Sequence, residues 1–119
     1  MALFRCQSGN GGGSGSLYDT DTVASGATKH ISTGFYPKHI LIYVTQQNQN
    51  GHYVYLYDED YNSGKIRYSG ANDKGWSGDM DVGAGNVTIA NIGATGFDFV
   101  NNGLYSSGSC TYYLIASAD

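Results

Sequence analysis

The sequence predicts an all-β domain, an antiparallel β-sandwich or jelly-roll-like fold of eight to nine short strands with no substantial helix. Gly, Ser and Asn make up about a third of the 119 residues, so turns should be frequent. Eleven Tyr residues favour strands and supply buriable surface that the low aliphatic content does not. Few windows are rich in Ala, Leu, Glu and Lys, which argues against a helical bundle.

Eight segments show strand alternation bounded by turn residues. The strands are predicted over residues 17–24, 27–32, 39–46, 52–58, 65–69, 86–91, 96–100 and 111–116. Residues 39–46 are apolar at successive positions, as in a strand that is covered on both sides. The dipeptide Asn50-Gly51 predicts that strands 39–46 and 52–58 form an antiparallel hairpin. A long polar loop is expected over residues 70–85.

The chain length suits one core, and the composition divides it into three parts. Residues 1–8 read as an N-terminal strand or arm, 9–16 as a flexible Gly/Ser-rich segment, and 17–119 as a single β-sandwich domain.

The N-terminal arm has two alternative partners. Tethered in this way, it could be donated to the sheet edge of a neighbouring chain, with Leu3 and Phe4 as assembly residues. Alternatively, it pairs within its own chain beside the strand that carries Cys110.

The charges exclude some partners. The net charge is −4 and the basic residues are scattered, so no nucleic-acid partner is expected. No apolar stretch approaches the roughly 20 residues of a transmembrane helix, so no membrane partner is expected either. The first six residues are too short for a signal peptide, which predicts a chain made in the cytoplasm.

Two cysteines, Cys6 and Cys110, leave two interpretations open. They could form a disulfide between the first strand and a late one, or remain two half-buried free thiols. The absence of an export signal favours free thiols.

No catalytic or metal-binding motif is present. Residues 58–64 match the start of a calcium loop, but the glycine comes one position late and Ser69 stands where the bidentate Glu belongs. We therefore interpret this segment as a solvated turn that needs no calcium to fold. His30, His39 and His52 lie in no known catalytic motif. The sequence thus predicts no enzyme activity, no metal and no cofactor.

The loop around Trp76 combines residue types that recognise sugars. An aromatic ring stacks on the C–H side of a sugar while Asn and Asp bind its hydroxyls, so the candidate ligand-binding residues are Trp76, Asn72, Asp73, Tyr61 and Tyr68. The alternative is that Trp76 folds back as a buried loop anchor.

Alternation places Tyr53, Tyr55 and Tyr57 on one face of one strand. An exposed row of this kind would be an assembly surface. Otherwise it packs inside, with its hydroxyls reaching the rim.

Residues 33–43, with the sequence TGFYPKHILIY, resemble a segment that recurs in small structural proteins of tailed phages and prophages. Residues 92–99 (IGATGFDF) and 111–116 (TYYLIA) resemble two later elements of the same proteins. The resemblance spans about residues 27 to 117. It implies a β-sandwich module of the head-decoration, head-fibre or tail-tip type, with no catalytic residues.

The expected function is therefore that of a non-enzymatic structural virion protein of a phage, acting by oligomeric assembly. Its partners would be further copies of itself, for example in a trimer, and other virion proteins. The alternative is a carbohydrate- or receptor-binding module that uses the Trp76 loop to bind a host-surface glycan.

Overall fold

The computed structural model describes residues 15–46, 52–60, 65–69, 77–85, 87–102 and 109–119, with only the backbone for Gln46 and His52. This part of the chain forms nine strands in two antiparallel sheets and contains no helix, which confirms the predicted all-β class. It accordingly has no helix long and apolar enough to cross a membrane.

The strands follow the predicted order closely. They are β1 (Ser16–Ala24), β2 (Thr28–Ser32), β3 (His39–Gln46), β4 (His52–Asp58), β5 (Ile66–Ser69), β6 (Gly78–Met80), β7 (Val87–Gly93), β8 (Gly96–Asn101) and β9 (Ser109–Ser117). The six-stranded sheet has the order β1-β9-β3-β4-β5-β6. The three-stranded sheet has the order β2-β8-β7.

The last strand, β9, lies inside the six-stranded sheet with β1 on one side and β3 on the other. Its inward side chains from Cys110 to Ala116 are completely buried. They belong to one apolar core with Phe97 and Phe99 of the other sheet, and the rings of Phe99 and Tyr112 lie 4.9 Å apart. The two sheets therefore enclose a shared core, as in a β-sandwich.

The predicted hairpin of strands 39–46 and 52–58 is confirmed. β3 and β4 pair antiparallel from His39 opposite Asp58 to Thr45 opposite His52. The turn around Asn50-Gly51 lies outside the described residues.

The predicted polar loop over residues 70–85 is only partly correct, because it contains the short edge strand β6. This strand pairs with β5, and the side chains of Arg67 and Asp79 face each other across the pair at 2.9 Å. The strand β6 has only three residues, and two of them, Gly and Asp, have low β-propensity. The sequence pattern therefore did not predict it.

The N-terminal arm and Cys6 lie outside the described residues. β9 is paired on both sides, with residues 16–24 along its whole length and with residues 39–46 from Cys110 to Ser117. Cys110 itself is a free thiol, fully rather than half buried, and burial raises its pKa.

A buried amide holds the corner where the chain passes from one sheet to the other. The Asn101 side chain donates a hydrogen bond of 3.0 Å to the carbonyl of Val23 in β1. The Asn101 backbone accepts from Gly26 and donates to Ala27. A polar residue in the core is thus satisfied by the connection between β1 and β2.

We predict that Gly96→Ala lowers the free energy of unfolding by about 1–3 kcal/mol. A Cβ on Gly96 would overlap the backbone carbonyl of Ile31 in the neighbouring strand, which cannot move without breaking the pairing. The control is Gly93→Ala on the paired position of β7, where the nearest atom to a Cβ is 3.9 Å away. Chemical denaturation measures both, and an equal cost for the two variants would contradict the prediction.

Candidate functional site

The six-stranded sheet turns one side to the core and the other away from it. Residues directly opposite each other in neighbouring strands lie on the same side of the sheet. The register therefore identifies the set of side chains that faces away from the core. On the four strands β1, β9, β3 and β4 this set combines Ser and Thr residues with a contiguous group of tyrosine and aliphatic side chains. We call this group the outer face, and its members are Tyr18, Leu41, Tyr43, Val54, Leu56, Tyr113 and Ile115.

Three tyrosines dominate the exposed area of the outer face. Tyr18 is 56% exposed, Tyr113 45% and Tyr43 37%. Tyr43 and Tyr113 are paired across β3 and β9, and their rings meet edge to face with centroids 6.0 Å apart. A contiguous apolar surface of this kind is characteristic of an interaction site, and Tyr is among the residues most enriched there.

Charged side chains lie at the margins of this side of the sheet. Arg67 and Asp79 form an ion pair on β5 and β6, and the hydrogen bond from Arg67 lowers the pKa of Asp79. His39 and Asp58 lie together at one end of β3 and β4. Between these pairs the outer face offers tyrosine hydroxyls and apolar area, which suits burial against another apolar surface.

The side chains of the predicted tyrosine row, Tyr53, Tyr55 and Tyr57, lie on the side of the sheet opposite to the outer face. Tyr55 and Tyr57 are buried in the core, and Tyr53 packs against it in a half-buried position. Burial, more than any neighbouring charge, raises the pKa of Tyr57. The row therefore packs inside, which was the second of its two interpretations, and the intervening Val54 and Leu56 belong to the outer face.

A cavity of about 360 Å³ lies next to β4, β5 and β6, on the core-facing side of the sheet. Tyr68, a predicted ligand-binding residue, lines it together with two members of the tyrosine row. The full lining is Tyr53, Tyr55, Tyr68, Asp79, Met80, Gly85 and Val87.

The other predicted ligand-binding residues, Trp76, Asn72, Asp73 and Tyr61, lie outside the described residues. The chain that carries Trp76 nevertheless connects β5 to β6, and the Ser77 amide donates to the carbonyl of Tyr68 at 2.7 Å. The connection thus begins and ends next to strands that line the cavity.

A histidine and two carboxylates meet at the end of β3 and β4. His39 Nε2 lies 3.3 Å from Asp58 Oδ1, and the Asp60 amide donates to the same oxygen at 3.0 Å. One possible ligand atom from each of His39, Asp58 and Asp60 falls within 4.8 Å of the others. Residues 61–64, the rest of the segment compared with a calcium loop, lie outside the described residues.

The contact between His39 and Asp58 is not predicted from the sequence. The two residues are 19 positions apart, so no linear motif joins them. The register of the predicted hairpin is the signal that could have placed them opposite each other.

Comparisons of the chain with protein-family models, with curated proteins and with solved structures found no match.

Proposed function

We propose that this chain is a non-enzymatic structural protein that assembles with copies of itself through the outer face. The observation that carries the proposal is the outer face itself, on which three substantially exposed tyrosines surround aliphatic side chains. Such a surface is costly to leave in water and gains stability when it is buried.

The occupant that we propose for the outer face is a second copy of the chain. The net charge of −4 opposes close approach of two copies in general. The middle of the outer face carries apolar side chains and tyrosines, so two copies can meet there with their carboxylates apart. The face is built on paired strands with a fixed register, so little conformational entropy is lost on contact.

The proposal includes a place in a phage virion, as the resemblance of residues 33–43 and 111–116 implies. These segments supply most of β3 and most of β9, the strands that carry Leu41, Tyr43, Tyr113 and Ile115 of the outer face. The partners proposed are other copies of the chain and further virion proteins, with no catalytic step.

Replacing an outer-face tyrosine should weaken self-association while leaving the fold intact. We predict that Tyr43→Thr and Tyr113→Thr each raise the dissociation constant of the oligomer at least about tenfold, because buried tyrosines often dominate interfaces. Threonine keeps the strand propensity. The matched control is Val82→Thr, which changes an exposed apolar residue after β6.

Sedimentation equilibrium over a range of concentrations measures the association, and circular dichroism checks the fold. A wild-type chain that stays monomeric at every concentration would refute the proposal. So would tyrosine variants that associate as tightly as the Val82→Thr control.

A second candidate function, glycan binding, is favoured by the tyrosine-lined cavity. Tyr53, Tyr55 and Tyr68 offer aromatic rings and hydroxyls. The connection between β5 and β6, which contains Trp76, begins and ends at strands that line this cavity.

This candidate predicts that an oligosaccharide shifts the fluorescence of Trp76 in a saturable way. Tyr68→Ala should weaken that binding at least about tenfold, because stacking on an aromatic ring is lost. Tyr113→Thr, on the opposite side of the sheet, should leave it unchanged. A panel of hexose, hexosamine and sialic-acid oligomers provides the probes, and the absence of a saturable shift with any of them would exclude the candidate.

A further inference from the structure

We propose that His39, Asp58 and Asp60 form a binding site for one divalent transition-metal ion, with Zn²⁺ as the best fit. The site lies at the end of the β3–β4 hairpin and is independent of the proposed assembly. Strand pairing places two of the three ligands, because His39 and Asp58 are directly opposite in the register. The third follows two residues later, in the turn after β4.

The burial of His39 is the first argument for a bound ion. The residue is only 7% exposed, and its Nδ1 atom is buried with no hydrogen-bond partner. The contact of its other nitrogen, Nε2, is with Asp58 at 3.3 Å. The strand register holds Nε2 of this buried imidazole toward the two carboxylates, where it is the ring nitrogen that can bind an ion.

The spacing of the ligand atoms is the second argument. Zinc bonds to nitrogen and oxygen are about 2.0–2.2 Å long, so ligand atoms in a tetrahedral site lie about 3.3–3.5 Å apart. The distance from His39 Nε2 to Asp58 Oδ1 already has this value. The carboxylate of Asp60 is exposed and within 4.8 Å, so a side-chain rotation can complete the set.

The chemistry of the ligands selects the metal. An imidazole nitrogen with two carboxylates suits Zn²⁺, Co²⁺ or Ni²⁺, whereas Ca²⁺ requires six to eight oxygen ligands. Two carboxylates also neutralise a divalent charge. Glu59, which lies between the two aspartates, accepts a hydrogen bond of 2.6 Å from the Tyr36 hydroxyl and is directed elsewhere.

A second histidine–aspartate pair in the same chain is an ordinary hydrogen bond and can be compared with the proposed metal site. His30 Nδ1 and Asp98 Oδ1 are 2.8 Å apart, and the His30 side chain is 59% exposed. The other oxygen of Asp98 accepts a hydrogen bond from Asn91, and these bonds lower the pKa of Asp98. That pair lacks the buried imidazole and the third ligand, so it is a matched control.

The test is calorimetric titration of the metal-free chain with Zn²⁺, together with the visible absorption of bound Co²⁺. We expect one ion per chain with a dissociation constant in the micromolar range or below. Asp60→Asn should weaken binding at least about tenfold, and His39→Gln should abolish it, since losing a ligand costs at least as much as losing an outer-shell partner. His30→Gln should bind as the wild type does.

Several results would overturn the proposal. These are an absence of saturable Zn²⁺ binding, wild-type affinity in Asp60→Asn, an equal loss in His30→Gln, or displacement of Zn²⁺ by millimolar Ca²⁺. Should His39→Gln fail to fold by circular dichroism, Asp60→Asn decides the question, because Asp60 is exposed and its side chain is not needed for packing.

Discussion

The register of β9 determines both surfaces of the six-stranded sheet. The strand is paired on each side, with β1 and with β3, so it cannot slide without breaking two ladders of hydrogen bonds. Its inward side chains, from Cys110 to Ala116, are completely buried. A shift by one residue would exchange this set with Tyr113 and Ile115 and place the core residues outside. The core and the outer face therefore depend on the same pairing.

Apolar residues on both sides of β3 and β9 connect the fold to the proposed function. A sheet that only covers one core alternates between apolar and polar positions. In these two strands the buried inward side chains are Ile and Val in β3 and Cys, Tyr, Leu and Ala in β9, and the outward side still carries Leu41, Tyr43, Tyr113 and Ile115. The self-association that we propose would account for this composition, because a neighbour's sheet would cover the outward apolar residues.

The sequence predicted the strand order and the β3–β4 hairpin well, because alternation and the Asn50-Gly51 turn are local signals. It left Tyr53, Tyr55 and Tyr57 undecided, since periodicity shows which residues share a face but not which face meets the core. The β6 strand was missed because three residues carry little propensity. The grouping of His39 with Asp58 depends on the register of two strands, so it appears only once the pairing is known.

The most direct measurement of the proposed assembly is hydroxyl-radical footprinting of the wild-type chain at low and high concentration, read by mass spectrometry. If copies meet through the outer face, oxidation of Tyr18, Tyr43 and Tyr113 should fall as the concentration rises. His30 lies on the three-stranded sheet and is exposed, so its oxidation should stay constant. Equal oxidation of the three tyrosines at both concentrations, or protection of His30 in their place, would contradict the account.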